Sequence, residues 1–282
     1  MASSASVQRG VSMSTLVMGV VNVTPDSFSD GGMWFAPDDA VSHGMKLVEQ
    51  GAGVLDVGGE STRPGAERVS EEEELRRVIP VIRELTHAGA RVSVDTMRAS
   101  VAAQAIEAGA SIVNDVSGGL ADPDMARVVA SAGLPFVVMH WRGHSQMMQD
   151  HASYGDVVAD VCRELTERMS DLCARGVGRE QLILDPGFGF AKLPEHNWSI
   201  LAHLDALMAL GQPVLIGTSR KTFLGTLGVA PGGVARPPAQ RDAATAATTV
   251  IAGLARVWGV RVHDVSSSVD ALRVVEAMGE TS

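Results

Sequence analysis

Polar residues follow short apolar runs at regular intervals along this chain: Asn22, the stretch 58–60, Asp95, Asn114 with Asp115, His140, Asp185, the stretch 218–221, and His263 with Asp264. Their types divide by charge. Asp95, Asn114 and Asp185 offer acceptors and one amide, which suit a flat heterocycle bearing N–H and amino groups, because a guanidine-like edge pairs with a carboxylate. Arg63, Arg220, Lys221, Arg261 and His263 offer donors and positive charge, which suit a phosphate or a carboxylate. Arg261 stands two residues before His263, so on a strand both point to one side. Gly217 and Thr218 lead through Ser219 to Lys221 into an expected helix start, where free N–H groups face an anion. Taken singly, each residue has a plainer reading. Asp95 or Asp185 could cap the next helix, Asn114 could hold a turn, His140 could be a hydrogen-bonded rim histidine, and Arg63 could be a solvated loop charge. Eight polar strand ends facing one mouth are harder to explain that way.

Something must bring these residues together. The apolar runs are 16–21, 54–57, 92–94, 112–113, 136–139, 182–184, 214–216 and 260–262, rich in Val, Ile and Leu and mostly without strict alternation. Strands of a parallel sheet buried on both faces read this way. Segments with helical spacing alternate with them: 37–50, 70–87, 98–108, 122–132, 153–175, 194–210, 242–258 and 266–278. Ser70 and Glu73 form an expected capping box. Gly51, Gly89, Gly109, Gly133, Gly176 and Gly211 stand just past six of the helices, where a left-handed cap takes Gly. Eight right-handed strand–helix units close into a single (β/α)₈ TIM barrel over residues 15–282, preceded by a disordered tail at 1–14. An open doubly wound sheet is the rival fold, but no GxGxxG follows the first run. Polar residues at strand ends then share the C-terminal mouth, where barrels of this type place their active sites. Two connections, 24–35 and 228–240, are long enough to be lids.

A net charge of −10 argues against a broad surface for nucleic acid or an anionic membrane. A cluster of cations on an acidic protein points instead to a small anionic substrate. No apolar run reaches the roughly 18 residues of a membrane span. Cys162 and Cys173 lie eleven residues apart in one expected helix, or about 16 Å at 1.5 Å per residue. They cannot pair there, which fits a reducing cytoplasm.

The same residues sit within longer phrases that resemble the dihydropteroate synthase family of pterin-binding enzymes. Met18-Gly-Val-Val-Asn-Val-Thr-Pro-Asp-Ser-Phe-Ser-Asp30 and Asp56-Val-Gly-Gly-Glu-Ser-Thr-Arg-Pro-Gly65 are similar to its two long signatures. Ser93-Val-Asp-Thr96, Asn114-Asp-Val-Ser-Gly-Gly119, Asp185-Pro-Gly-Phe-Gly-Phe190, Ser219-Arg-Lys221 and Arg261-Val-His-Asp-Val265 complete the likeness, which runs from about 17 to 277. The resemblance implies condensation of 6-hydroxymethyl-7,8-dihydropterin pyrophosphate with p-aminobenzoate, in folate biosynthesis, by an enzyme that sulfonamides inhibit. It implies that Asp95, Asn114, Asp185 and Lys221 hold the pterin, with Met139 against the ring. Asn22, Arg261 and His263 would hold the pyrophosphate, with Mg²⁺ on its oxygens and on Asn22. Thr62, Arg63, Pro64, Phe190, Ser219 and Thr222 would surround p-aminobenzoate, with Phe28 also against its ring and Gly217 among the substrate-binding positions. Asp95, Lys221, Arg261 and His263 would carry the catalysis, and the loops 24–32 and 61–68 would close over the site. A homodimer through the last helices is implied as well, with small residues along 243–255.

Two other readings stay open at this point. A corrinoid-linked folate methyltransferase would share the pterin contacts but would not need Arg63, Arg220, Lys221, Arg261 and His263 together. A catalytically silent paralogue that only binds pterin would be expected to lack charged motif residues, and none is missing.

Overall fold

A computed structural model describes residues 15–24, 37–60, 68–143, 152–230 and 232–279. The expected tail at 1–14, Phe28, and the expected substrate contacts Thr62, Arg63 and Pro64 lie outside the described residues. Eight strands run in parallel: β1 (Leu16–Asn22), β2 (Val54–Gly58), β3 (Val92–Asp95), β4 (Ile112–Asp115), β5 (Phe136–Met139), β6 (Leu182–Asp185), β7 (Leu215–Ile216) and β8 (Gly259–Val262). Their order is β6-β5-β4-β3-β2-β1-β8-β7. A single bridge between Leu184 and Val214 joins the two ends of this ribbon, helped by a 2.8 Å bond from the Leu184 N–H to the Pro213 carbonyl. The fold is therefore the single (β/α)₈ barrel that the sequence predicts.

Strand periodicity sorts the side chains into two cores. Val17, Val21, Leu55, Val57, Val92, Val94, Val113, Phe136, Val138, Leu182 and Leu184 point outward into the main apolar cluster with the surrounding helices. Met18, Val54, Ile112, Val137, Ile183 and Leu215 fill the barrel interior. Continuing the inward parity toward the strand ends gives Asn22, Gly58, Asp95, Asn114, Met139 and Asp185. Register sets them side by side: Asn22 opposite Gly58, Gly58 opposite Asp95, Asp95 opposite Asn114, and Met139 opposite Asp185. The barrel is thus apolar below and polar at its C-terminal mouth.

The helices are α1 (Pro37–Glu49), α2 (Glu71–His87), α3 (Ala99–Glu107), α4 (Met125–Ala132), α5 (Val157–Ala174), α6 (Pro194–Ala202), α7 (Leu204–Met208), α8 (Thr222–Gly225), α9 (Asp242–Leu254) and α10 (Val265–Gly279). The six glycines expected past helix ends all have φ between 67° and 109°.

Several expected boundaries need correction, each for a local reason. The Ser70 hydroxyl does accept from the Glu73 N–H at 3.2 Å, but the Glu73 carboxylate pairs with Arg76 and Arg77 instead of closing the capping box. α5 begins at Val157, not at 153, because the Asp156 carboxylate takes the N–H groups of Val158 and Ala159. Asp122 lies before α4 and receives the Ala99 N–H at the start of α3. The segment 194–210 is two helices; they part at His203, whose Nδ1 lies 2.8 Å from the Ser199 carbonyl. The connection 228–240 carries a 3₁₀ turn at Pro238–Arg241. Cys162 and Cys173 are both free on α5. No helix among the described residues is long and apolar enough to cross a membrane.

Candidate active site

The floor of the mouth is a ring of charges over the apolar interior. Arg261 rises from the level of Met18 on β1, its register partner. Its Nε donates to Asp56 Oδ2 at 2.5 Å and its Nη2 to Asp95 Oδ2 at 2.8 Å. The Asn114 amide donates to the same Asp56 oxygen at 3.0 Å. Burial works against the Arg261 cation, but the two carboxylates outweigh it and hold it charged. Burial pushes the Asp95 carboxyl up to about 7; Arg261 pulls it back, and Asp56, Asp115 and Glu74 push it further. Asp56 is wholly buried, and its Oδ1 and the neighbouring Ser93 hydroxyl have no protein partner. Sequence reasoning gave Asp56 no role. A carboxylate inside the apolar run 54–57 was the available signal, since a buried acid requires a cation.

On the opposite wall, Asp185 Oδ1 accepts the Gly187 N–H at 2.7 Å. Burial raises its pKa, while that bond, Lys221 and Arg261 lower it. A Cβ added to Gly217 would meet only Asp185 Oδ2, at 3.7 Å, so Gly217 leaves room beside the carboxylate. Lys221 is half-buried, and its stem runs close beside Gly189. Burial lowers its pKa to about 8, Arg261 adds to that, and Asp185 and Asp95 oppose it. Its Nζ stands 4.0 Å from the centre of the Phe190 ring, a cation–π contact. Phe190, Met139 and Ala191 form a small apolar cluster at the mouth, with Val116 and Trp141 packed against it. Ser219 Oγ lies 3.0 Å from His263 Nδ1 and accepts the His263 N–H at 3.1 Å, joining β8 to the end of β7.

The structure therefore assembles Asp95, Asn114, Asp185, Met139, Phe190, Lys221 and Arg261 in one basin, with Gly217 beside Asp185. Ser219 and His263 stand together on the β7–β8 side. Asn22 ends β1 next to Gly58, and Thr222 is exposed as the first residue of α8. Other polar strand ends take the plainer role. Asp115 accepts from Ser117 and from the Gly119 N–H and so shapes a turn. Asp264 accepts from Ser267 at the start of α10. Thr218 bonds Thr248. Arg220 does not stand over the site: its backbone is left-handed (φ 58°), and its guanidinium is bidentate on Asp242 at 2.8 and 2.9 Å. The helix start expected after Lys221 exists, but α8 has four residues, so it lends little dipole.

His140 also turns outward, into a buried chain that sequence reasoning did not assemble. Its Nδ1 lies 3.0 Å from Lys192 Nζ and its Nε2 lies 2.9 Å from Glu164 Oε2. Arg142 pairs with the same carboxylate and lies over the Tyr154 ring. Burial and Lys192 bring the His140 pKa down to about 4, against the pull of Glu164. The folded value lies below the ordinary 6.5, so this contribution is whole above pH 6.5 and is lost as pH falls through about 4. At 1.36 kcal/mol per unit the loss is about 3 kcal/mol. Chemical denaturation from pH 7 to pH 4 is expected to show it, and a His140→Gln variant is expected to show a shallower decline. Equal declines would remove His140 as the cause.

A parallel eight-stranded barrel whose mouth sets buried carboxylates and an amide beside fixed cations is the frame of a pterin-binding enzyme. The family model described as pterin binding enzyme matches residues 18–263. The dihydropteroate synthase of Mycobacterium leprae is 53% identical over 93% of this chain and 92% of its own length. Two solved structures of Xanthomonas albilineans dihydropteroate synthase superpose closely. The one with 4-aminobenzoic acid has a TM-score of 0.86 at 45% identity, covering 94% of this chain and 93% of that one. The one with 7,8-dihydropteroate has a TM-score of 0.84 at 42% identity, covering 94% of each. The chain belongs to the dihydropteroate synthase family.

Proposed function

We propose that this chain joins 6-hydroxymethyl-7,8-dihydropterin pyrophosphate to p-aminobenzoate, releasing pyrophosphate and 7,8-dihydropteroate. The observation that carries the reading is the basin itself: Asp95, Asn114 and Asp185 line one side of it, and Lys221 and Arg261 stand among them. Buried carboxylates suit the amino and N–H edge of a pterin. As the C–O bond to pyrophosphate breaks, the methylene carbon becomes cationic, and ionised Asp95 favours that charge. The arylamine nitrogen then bonds to this carbon and gives up a proton to solvent. A neutral aromatic amine needs no strong base for that step. Arg261 uses two N–H groups on Asp56 and Asp95 and has others for the departing phosphate. Phe190 beside Lys221 supports a wall for the benzoate ring.

Mg²⁺ fits as a partner of the leaving group, with Asn22 the residue that would hold it. The ion keeps several waters and takes one or two protein oxygens beside substrate phosphates. Among the described residues no three His, Cys, Asp or Glu side chains could hold a metal by themselves. Bound there, it would neutralise charge on the leaving pyrophosphate. α9 and α10 pack together and leave Ile251, Leu254, Val274 and Met278 exposed, which supports a homodimer through this pair. Free cysteines support a cytoplasmic location.

Pyrophosphate release on mixing both substrates with Mg²⁺ tests the reading, and a sulfonamide added to the same assay should compete with p-aminobenzoate. Release from the pterin substrate alone at an equal rate would make the protein a hydrolase. Binding without release would leave a silent pterin-binding paralogue. In the same assay His263→Ala is expected to lower turnover and to weaken pyrophosphate binding by about 1.5–3 kcal/mol, the worth of a charge-assisted contact. Calorimetry with a phosphate-free pterin should show no matching loss; an equal loss would point to a damaged barrel.

A further inference from the structure

Phe190 sits on a turn that two glycines favour and one alanine disfavours. Gly187, Gly189 and Ala191 are all left-handed, with φ of 70°, 75° and 47°. Ala191 carries a Cβ into a region that L residues avoid, so surrounding contacts must hold it there. Lys192 lies buried beneath the turn, with Nζ 3.1 Å from both the Gly187 and Phe190 carbonyls and 3.0 Å from His140 Nδ1. An ammonium has three N–H donors, and three acceptors meet it. That match assigns His140 the tautomer protonated on Nε2, which donates to Glu164. From the other side the Tyr154 hydroxyl donates to the Ala191 carbonyl at 3.0 Å, and the Asn197 side chain accepts the Gly189 N–H at 2.7 Å.

We propose that Lys192 is a positioning residue for the arylamine half of the site, its three hydrogen bonds holding the 187–191 turn so that Phe190 stands as a fixed wall beside Lys221. The proposal rests on the functional reading above, in which that wall meets p-aminobenzoate. Burial brings the Lys192 pKa down to about 7; Asp185 and Glu164 oppose this, and Arg142 and Lys221 add to it. His140 faces the amine directly and is neutral in the same range. Loss of the proton removes one donor of three. The hold on the turn therefore weakens as pH rises through about 7.

Steady-state kinetics of the full chain from pH 6 to pH 9, with calorimetry of a phosphate-free pterin, test the proposal. Lys192→Met is expected to raise the KM for p-aminobenzoate about tenfold while kcat changes little, the signature of lost substrate binding. Affinity for the pterin should stay within about twofold. The wild-type KM should rise as pH passes about 7, and the variant should lack that limb while keeping the later one from Lys221, near pH 8. His140→Gln, which keeps an acceptor for the amine, should behave nearly as the wild type. Tyr154→Phe removes only the hydroxyl on Ala191 and should raise the same KM by about two- to threefold. It tests the turn even if Lys192→Met does not fold. Equal losses for both substrates, a pH limb that persists in Lys192→Met, or an unchanged Tyr154→Phe would overturn the proposal. A wild type that never uses p-aminobenzoate overturns the functional reading and this one with it. A wild type that uses it, matched throughout by Lys192→Met, overturns this one alone.

Discussion

Arg261→Met is expected to cost the barrel about 3–5 kcal/mol at pH 8, the usual penalty for removing one partner of a buried ion pair. Asp56 and Asp95 would then face each other with no cation between them. The pH dependence carries the sign. Without Arg261 the folded pKa of Asp95, already pushed up to about 7, rises further. A raised folded pKa gives stability that is present at low pH and lost as pH climbs through it. The deficit against the wild type should therefore be smaller at pH 6 than at pH 8. Turnover should fall roughly 100- to 1,000-fold, the typical effect of losing a donor aimed at developing charge. Thermal melts at the two pH values check the first claim. A deficit of equal size at both would mean that Asp95 does not take up the proton.

Asp185→Asn is expected to separate binding from folding. The carboxylate uses Oδ1 on the Gly187 N–H, and an asparagine can keep that bond with its carbonyl. It must then turn its NH₂ toward the ligand, where a pterin edge also offers N–H groups. Donor against donor, with the charge gone, should weaken pterin binding roughly 100-fold, or about 3 kcal/mol. Melting should hardly move, because burial already disfavours the Asp185 carboxylate. Calorimetry and a melt on one preparation decide the matter. A large drop in stability with modest loss of affinity would reverse the assignment and make Asp185 a framework residue.

The mouth was legible because strand parity is strict and the polar residues close their runs. Asn114 follows Ile112 and Val113, and Asp185 follows 182–184, so each marks its own strand end. Asp56 was not legible as a partner, since it lies inside a run and its cation comes from a residue 205 positions away. Asp115 and Asp264 show the reverse failure. Asp115 ends β4 and Asp264 follows β8 by two residues, yet serine two or three residues later draws each into a local turn, a pattern readable in the sequence. Residue type and neighbours alone group Arg220 with the anion-binding cations. Only the left-handed backbone, invisible in residue types, sends it to Asp242. Lys192 depends on a turn folding back over it, which no periodicity announces. The division of 194–210 hangs on one histidine side chain competing for a carbonyl.

Among the described residues, the seam between β6 and β7 is closed by the Leu184–Val214 bridge alone. Few backbone bonds cross it, yet it lies beneath Asp185 and Gly217. Behind it, Phe188 stacks on Phe223 at 6.1 Å and Trp198 meets Phe223 edge-on at 4.8 Å. Dispersion and shape thus do there what a hydrogen-bonded ladder does elsewhere around the ring. Such packing carries no direction and responds to volume. A change of volume among these three rings, outside the barrel, is therefore expected to alter the spacing of Asp185 and Gly217 within it.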